Sequence, residues 1–131
     1  MVVLSVLGRA RIILLKFAGE ESVVKENHIQ VKKWLEKEVP SEEWLVQQME
    51  AEGFRPYRWQ AAPEEVFQTH THPFHKVIYV LQGSIIFGFP IDGEPTTLNP
   101  GDRLDLPAEV PHLAVAGPHG VVCLEAHVHK D

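Results

Sequence analysis

Two hydrophobic periods divide the chain. Residues 20–53 are rich in Glu, Lys, Gln and Leu, with neither Gly nor Pro between Glu20 and Val39. Ile29, Lys32, Lys33 and Leu35, with Trp34, predict a short amphipathic helix ending near Val39, where Pro40 stops it. Ser41 is a good N-cap for a second helix, and Glu42 and Glu43 fall in its first turn, where the helix dipole favours negative charge. Leu45 and Met49 stack at i, i+4 beside Trp44, and Gly53 is placed to end the helix. Residues 20–53 are therefore expected to form a helical lid on the flank of the strand-rich remainder, a partner-binding hairpin being the alternative.

From Phe54 the period becomes two. Short β-prone runs lie at Val66–Thr71, Val77–Leu81, Ile85–Phe89, Thr96–Leu98, Arg103–Leu106, Leu113–Ala116 and Val121–Val128. Turn signals separate them at Gln82-Gly83, Asp92-Gly93, Asn99-Pro100-Gly101-Asp102 and Gly117-Pro118-His119-Gly120. This spacing predicts an all-β fold over 54–131, an antiparallel sandwich or a closed double-sheet barrel, preceded by a short α-helical segment. In the N-terminal segment 1–19, Ile12–Phe17 is expected to be a peripheral strand and the residues before it poorly ordered.

At 131 residues the chain has the size of a single domain. Cys123 is the only cysteine, which excludes a disulfide scaffold and favours a cytoplasmic location. A net charge of −6 argues against a nucleic-acid partner bound by bulk positive charge. The apolar runs Val2–Leu7 and Ile12–Leu15 are too short for a membrane span, and Arg9 and Arg11 lie where a secretory signal would be uninterrupted. No membrane partner is expected.

Histidine is the unusual residue: there are eight, seven of them at or beyond position 70. In a strand, His70 and His72 leave the same face, so two imidazoles can converge on one metal ion. Pro73 then turns the chain. His112, after Pro107-Ala108-Glu109-Val110-Pro111, can fold back opposite the pair in an antiparallel barrel. Three imidazoles on one interior face would leave open positions on the ion, as in reactive sites rather than closed structural ones. The alternative is three wall histidines bonded to backbone carbonyls.

The frame around these histidines resembles the cupins, small barrels of two packed antiparallel sheets with an RmlC-like jelly-roll form. Their first motif runs G, five residues, H-x-H, three or four residues, E, six residues, G. Glu64 stands in the first Gly slot, His70 and His72 are the pair, Lys76 takes the Glu slot, and Gly83 closes the motif. The second motif runs G, five residues, P-x-G, two residues, H, three residues, N. Gly101, Pro107, Glu109 in the Gly slot, His112 and Ala116 in the Asn slot match its spacing. The likeness covers about residues 57–127.

Three departures matter. The two glutamates in Gly slots are tolerable if their backbones avoid positive φ. Lys76 replaces a residue that in the family gives the metal an anionic oxygen, so either Lys76 turns outward, or it is neutral, or no metal binds. His75, one residue short of the family spacing, could supply a fourth ligand if a bulge after Pro73 aimed it inward.

The resemblance implies a divalent transition metal (Fe, Mn, Ni or Zn) at His70, His72 and His112, with His75 as the candidate fourth ligand. It also implies a small organic molecule as partner, and a homodimer formed through edge strands or the N-terminal segment. Oxygenase-type chemistry is what all-histidine cupins resemble; an isomerase is disfavoured by the lack of a clear carboxylate base near the ligands. The alternative is a non-catalytic metabolite-binding or sensing module, metal-free or not. Outside the motifs, Glu125, His127 and His129 share one face of the last strand and form a weaker metal candidate. Cys123 reads as a buried filler, and His119 as a surface residue. Tyr79, Phe87, Phe89, Ile78, Val80 and Leu104 are expected to line or support the barrel. Arg103 and Asp105 would contact a ligand at the mouth or face solvent.

Overall fold

The computed structural model describes residues 28–91 and 93–128, together with the backbone of two short strands, β1 (Val3–Ser5) and β2 (Ile13–Leu15), which pair antiparallel. The remainder of the expected N-terminal strand, residues 20–27 of the expected lid, Asp92 and His129 lie outside the described residues. Within them run β3 (Gln30–Lys32), α1 (Glu42–Ala51), β4 (Tyr57–Ala61), β5 (Val66–His70), β6 (His75–Gly88), β7 (Thr96–Leu98), β8 (Arg103–Leu106) and β9 (His112–Val128). Among the described residues, no helix is long and apolar enough to cross a membrane.

The expected all-β barrel is present, built on a spine of two long antiparallel strands. The first half of β6 and the last half of β9 pair from His75↔Val128 to Val80↔Cys123, and the other halves from Ile85↔Ala116 to Gly88↔Leu113. One half of the spine extends into the order β3-β8-β6-β9-β4; on the other half β7 adds to β6 and β5 adds to β9. The turn signals at Gln82-Gly83 and at Gly117–Gly120 predict a break in each of these strands. Instead the ladder continues through two register shifts, between Val80 and Gln82 and between Gly83 and Ile85. A bulge bends a strand without ending it, so short glycine-bearing interruptions of this kind read as turns in sequence but act as corners. Gly83 and Gly120 both have positive φ there (75° and 80°), and a Cβ on Gly83 would collide with the Gly120 carbonyl.

Alternation along the spine makes two cores. Ile78, Val80, Ile85, Phe87, Leu104, Leu106, Ala114 and Cys123 are among those filling the barrel interior. Val77, Leu124 and Ala126 point the opposite way and bury Leu45 and Met49 of α1 on the outer face. Tyr79 belongs to this outer layer rather than to the barrel interior, since it is one residue out of phase with Ile78 and Val80. Ser41 caps α1 as expected, its hydroxyl accepting from the Trp44 amide at 3.1 Å.

No helix forms over 29–39. Ile29 and Val31 are half-buried against the barrel core and Gln30 and Lys32 are exposed, a period of two, and β3 pairs with β8 from Gln30↔Asp105 to Lys32↔Arg103. Beyond it, the Trp34 amide donates to the buried Asp102 carboxylate at 2.8 Å, as does Lys33 Nζ. An amide committed to a distant side chain cannot join an i→i−4 helical ladder. Arg103 also differs from expectation: it is buried and tied to Glu52 (2.7 Å), Asp105 (2.9 Å) and Tyr79 (3.2 Å), so it clamps the end of α1 to β8 instead of meeting ligand or solvent.

The two glutamates in Gly slots do adopt positive φ, 62° at Glu64 and 65° at Glu109. The Glu109 amide donates to the His72 carbonyl at 2.7 Å and the Glu64 amide to the Gly117 carbonyl at 3.0 Å, so both strained residues fix long-range contacts. A left-handed backbone costs a residue with a Cβ roughly 1–2 kcal/mol, while glycine costs roughly 0.5–1 kcal/mol in unfolded-chain entropy. Glu64→Gly and Glu109→Gly are each expected to raise stability by about 0.5–1 kcal/mol, and Gly83→Ala to lower it by about 1–3 kcal/mol. Urea unfolding midpoints check both signs; a loss of stability in the two glycine variants would remove the strain assignment.

Candidate metal centre

His70 and His112 are cross-strand partners on β5 and β9, and His72 lies two residues beyond His70, just past the end of β5. The ring centroids lie 4.4 Å (His70–His112), 4.7 Å (His70–His72) and 5.0 Å (His72–His112) apart. One nitrogen from each ring falls within 4.8 Å of the others, so the three histidines are positioned to bind a metal ion. His70 is exposed, His72 half-buried and His112 fully buried, which grades the cluster from mouth to interior. His75 is not in this group; it opens β6 with Val128 as its register partner.

Hydrogen bonds set the chemistry of the rings. His70 Nδ1 lies 2.6 Å from the Gln68 carbonyl oxygen, and His112 Nδ1 lies 2.8 Å from that of Val110. A carbonyl can only accept, so both Nδ1 atoms carry a proton, and in the neutral ring this leaves the lone pair on Nε2. This is the orientation a metal-binding histidine needs. Burial pushes His72 down to about 4, helped by the positive charge of Lys76 and by the neighbouring His112 and His70. His112 is lowered for the same first reason, burial, with a smaller opposing effect of its bond to Val110. His72 and His112 are therefore neutral imidazoles, and a set of three histidine nitrogens suits a late first-row divalent ion.

Lys76, in the family's Glu slot, turns inward. Its Nζ is 3.1 Å from His72 Nε2 and 3.2 Å from Glu125 Oε2, with the Lys76 side chain 13% exposed and that of Glu125 5% exposed. An ammonium only donates, so His72 Nε2 is also an acceptor. Glu125 is held further by Trp59 Nε1 (2.6 Å on Oε1), the Tyr57 hydroxyl (2.7 Å on Oε2) and His127 Nε2 (3.1 Å). The half-buried cation thus has a buried counter-ion one strand away.

These groups share a cavity of about 280 Å³ lined by His70, Lys76, His112, Glu125, Tyr57 and Trp59 on its polar side, and by Phe67, Ile78, Ile85, Phe87 and Ala114 on its apolar side. That size is near the lower limit of small-molecule sites, about 300–1,000 Å³. Glu125 is a carboxylate that sequence reasoning left away from the ligands. The signal for it exists: on β9, Val121, Cys123 and Glu125 alternate with Leu124 and Ala126, so an inward Cys123 carries Glu125 inward with it. Tyr57 and Trp59 are its neighbours because β4 pairs Tyr57 with Glu125 and Trp59 with Cys123. His127 meets Glu125 and Tyr57 at the rim, which makes it part of this network. Cys123 is a buried thiol pushed up to about 12 by burial and the Glu125 charge, which leaves it unreactive. His119 is exposed.

The family model for the cupin domain matches residues 57–124. No curated protein matches the chain. Among solved structures, a protein of unknown function from Rhizobium leguminosarum is 19% identical with a TM-score of 0.54, covering 59% of this chain and 71% of that one. A cupin superfamily protein from Desulfitobacterium hafniense is 18% identical, with a TM-score of 0.51 over 82% of this chain and 83% of its own. An RmlC-like cupin from Shewanella frigidimarina is 23% identical, with a TM-score of 0.51 over 59% and 67%. At such identities the likeness is one of fold.

The depressed His72 has a consequence for acid stability. Between about 4 in the folded chain and about 6.5 unfolded, the unfolded state holds the extra proton, so stability is full above about 6.5 and falls as pH drops toward 4. His112 acts in the same direction. Metal-free protein is expected to unfold at lower urea at pH 4.5 than at pH 7.5, and His72→Asn, which keeps an acceptor for Lys76, to narrow that gap. Identical pH profiles for the two proteins would show that His72 is not the responsible group.

Proposed function

The chain belongs to the cupin domain family, and from that membership we propose that it is a metal-binding barrel with a small-molecule cavity. One divalent transition ion (Fe, Mn, Ni or Zn) is held by Nε2 of His70, His72 and His112, beside a bound organic molecule. The observation that carries this reading is the meeting of three imidazoles, two of them with Nδ1 held on backbone carbonyls so that Nε2 is left for a metal. Such an ion supplies Lewis acidity toward a ligand oxygen, with oxygenase-type chemistry open to a redox-active metal.

The chain's own residues supply the rest. The apolar wall excludes water and seats a carbon skeleton. Glu125, held by Trp59 and Tyr57, is a fixed carboxylate on the cavity surface. Its presence restores proton-transfer chemistry, and with it an isomerase-type reaction, to the activities this site supports. Phe74 stacks on His127 at 3.9 Å and on His72 at 5.1 Å, bracing the rim.

A second reading is a metal-free binding module. One observation favours it: Lys76 already donates to His72 Nε2, so an ion has to displace that hydrogen bond. Metal analysis of tag-free protein separates the two. The expected result is about one ion per chain, retained in His75→Ala and weakened more than about a hundredfold in His70→Ala and in His112→Ala, since even outer supports of a ligand are worth about 10–100-fold. A wild type that stays metal-free after reconstitution supports the binding module; loss of metal in His75→Ala would add that residue to the ligand set.

A further inference from the structure

Lys76 also bears on what the cavity binds. We propose that the cavity takes a small organic monocarboxylate, with the Lys76 ammonium receiving its anionic oxygen and Phe67, Ile85 and Phe87 packing against its apolar body. The inference rests on the reading of this cavity as a small-molecule site and specifies its ligand class.

The ammonium has three N–H donors. One is used, on His72 Nε2 at 3.1 Å; Glu125 Oε2 lies 3.2 Å away as an ion-pair partner, and among the described residues no other group hydrogen-bonds or ion-pairs with this ammonium. An ammonium largely withdrawn from water is stabilised when its remaining donors find acceptors, most of all an anionic one. Glu125 balances the ammonium's charge but does not fill its donors, because its own oxygens are taken by Trp59 and Tyr57 and lie against His127. Among the described residues, Lys76 is also the only Lys or Arg lining the cavity. Arg103 is spent on Glu52 and Asp105, and Lys33 on Asp102, both elsewhere in the fold. An ion on the three histidines would add positive charge on the same side as Lys76, and imidazole ligands bring no negative charge to offset it. The far wall is hydrocarbon, with Phe67, Ile78, Ile85, Phe87 and Ala114 facing the cavity. A charge at one end and an apolar body at the other describe the ligand.

The experiment compares benzoate with benzamide, and phenylacetate with phenylacetamide, by calorimetric titration of the full chain in zinc-loaded and chelator-stripped form. In wild type each carboxylate is expected to bind at least about tenfold more tightly than its amide in both forms. In stripped protein Lys76→Arg keeps the preference and Lys76→Met loses it. Because Lys76→Met leaves Glu125 buried without its cation, the double variant Lys76→Met/Glu125→Gln is measured too. It removes both charges, so its net charge equals that of wild type, and a lost preference there belongs to the ammonium itself. The proposal is overturned if wild type binds amide and carboxylate alike, if the double variant keeps the preference in stripped protein, or if no probe binds while zinc is stoichiometric. That last outcome leaves the metal reading standing. A protein that takes no zinc yet prefers carboxylates in a Lys76-dependent way removes the metal reading and keeps this one.

Discussion

Two strands hydrogen-bonded along their whole length make a ribbon, and a ribbon encloses nothing unless it bends. The rest of this molecule depends on the bend in β6 and β9 at Gly83 and Gly120. A side chain at Gly83 would strike the Gly120 carbonyl, so the corner closes only without one. Either side of the corner, each strand belongs to a different half of the barrel and carries different chemistry. β9 begins at His112 and brings Glu125 back to the same cavity near its other end. β6 supplies Lys76 from the start of its ladder and Phe87 from beyond the corner. Site and fold are thus one constraint: the backbone geometry that shuts the core also brings together residues far apart in sequence.

The cavity's polar side departs from simple packing logic. Burying an ammonium and a carboxylate costs several kcal/mol per ion before their attraction is counted, and apolar replacements of such pairs are often no less stable. Here the pair is satisfied from several sides, by an indole N–H, a phenol and an imidazole, with the indole and the phenol placed by strand register rather than by chance proximity. The helix α1 and the Arg103 clamp sit on the opposite face of the same strands and are built with ordinary materials, a leucine, a methionine and a surface glutamate. The barrel interior holds the larger apolar core, and the Lys76–Glu125 pair lies on the cavity face, where a ligand would bind.

The barrel is legible in the sequence because period two and histidine spacing are both local signals that survive without knowledge of the partner strand. His70, His72 and His112 can be placed together on that basis, and they do meet. The features that escape a reading of the sequence depend on long-range contacts. Residues 29–32 alternate like a strand, yet the Lys and Trp after them mimic a helical stripe, and only the carboxylate of Asp102 decides the matter by taking the Trp34 amide. Gln82-Gly83 and Gly117–Gly120 look like turns because a bulge uses the same residues. Glu64 and Glu109 hide their left-handed backbones, since a glutamate advertises no such conformation. Tyr79 lies a single step of alternation away from the barrel interior, and that step puts it in the outer layer.

The direction of Lys76 is the deepest of these. Taken alone, a lysine in a carboxylate's place argues for an outward turn or an empty site. Glu125 reverses that conclusion, because its partner strand carries a carboxylate to the same point in space. Compared with a site whose metal-binding carboxylate is in the chain's first motif, the negative charge has moved from a coordinating position to one that pairs with a cation. Three imidazole ligands bring no negative charge and would leave a divalent ion's charge for something else to balance. Among the described residues lining the cavity, the one carboxylate is Glu125, and it is already engaged on both oxygens. On the reading proposed above, the compensating anion arrives with the ligand, and the substitution that takes a carboxylate out of the metal's reach would also set the charge of what the barrel receives.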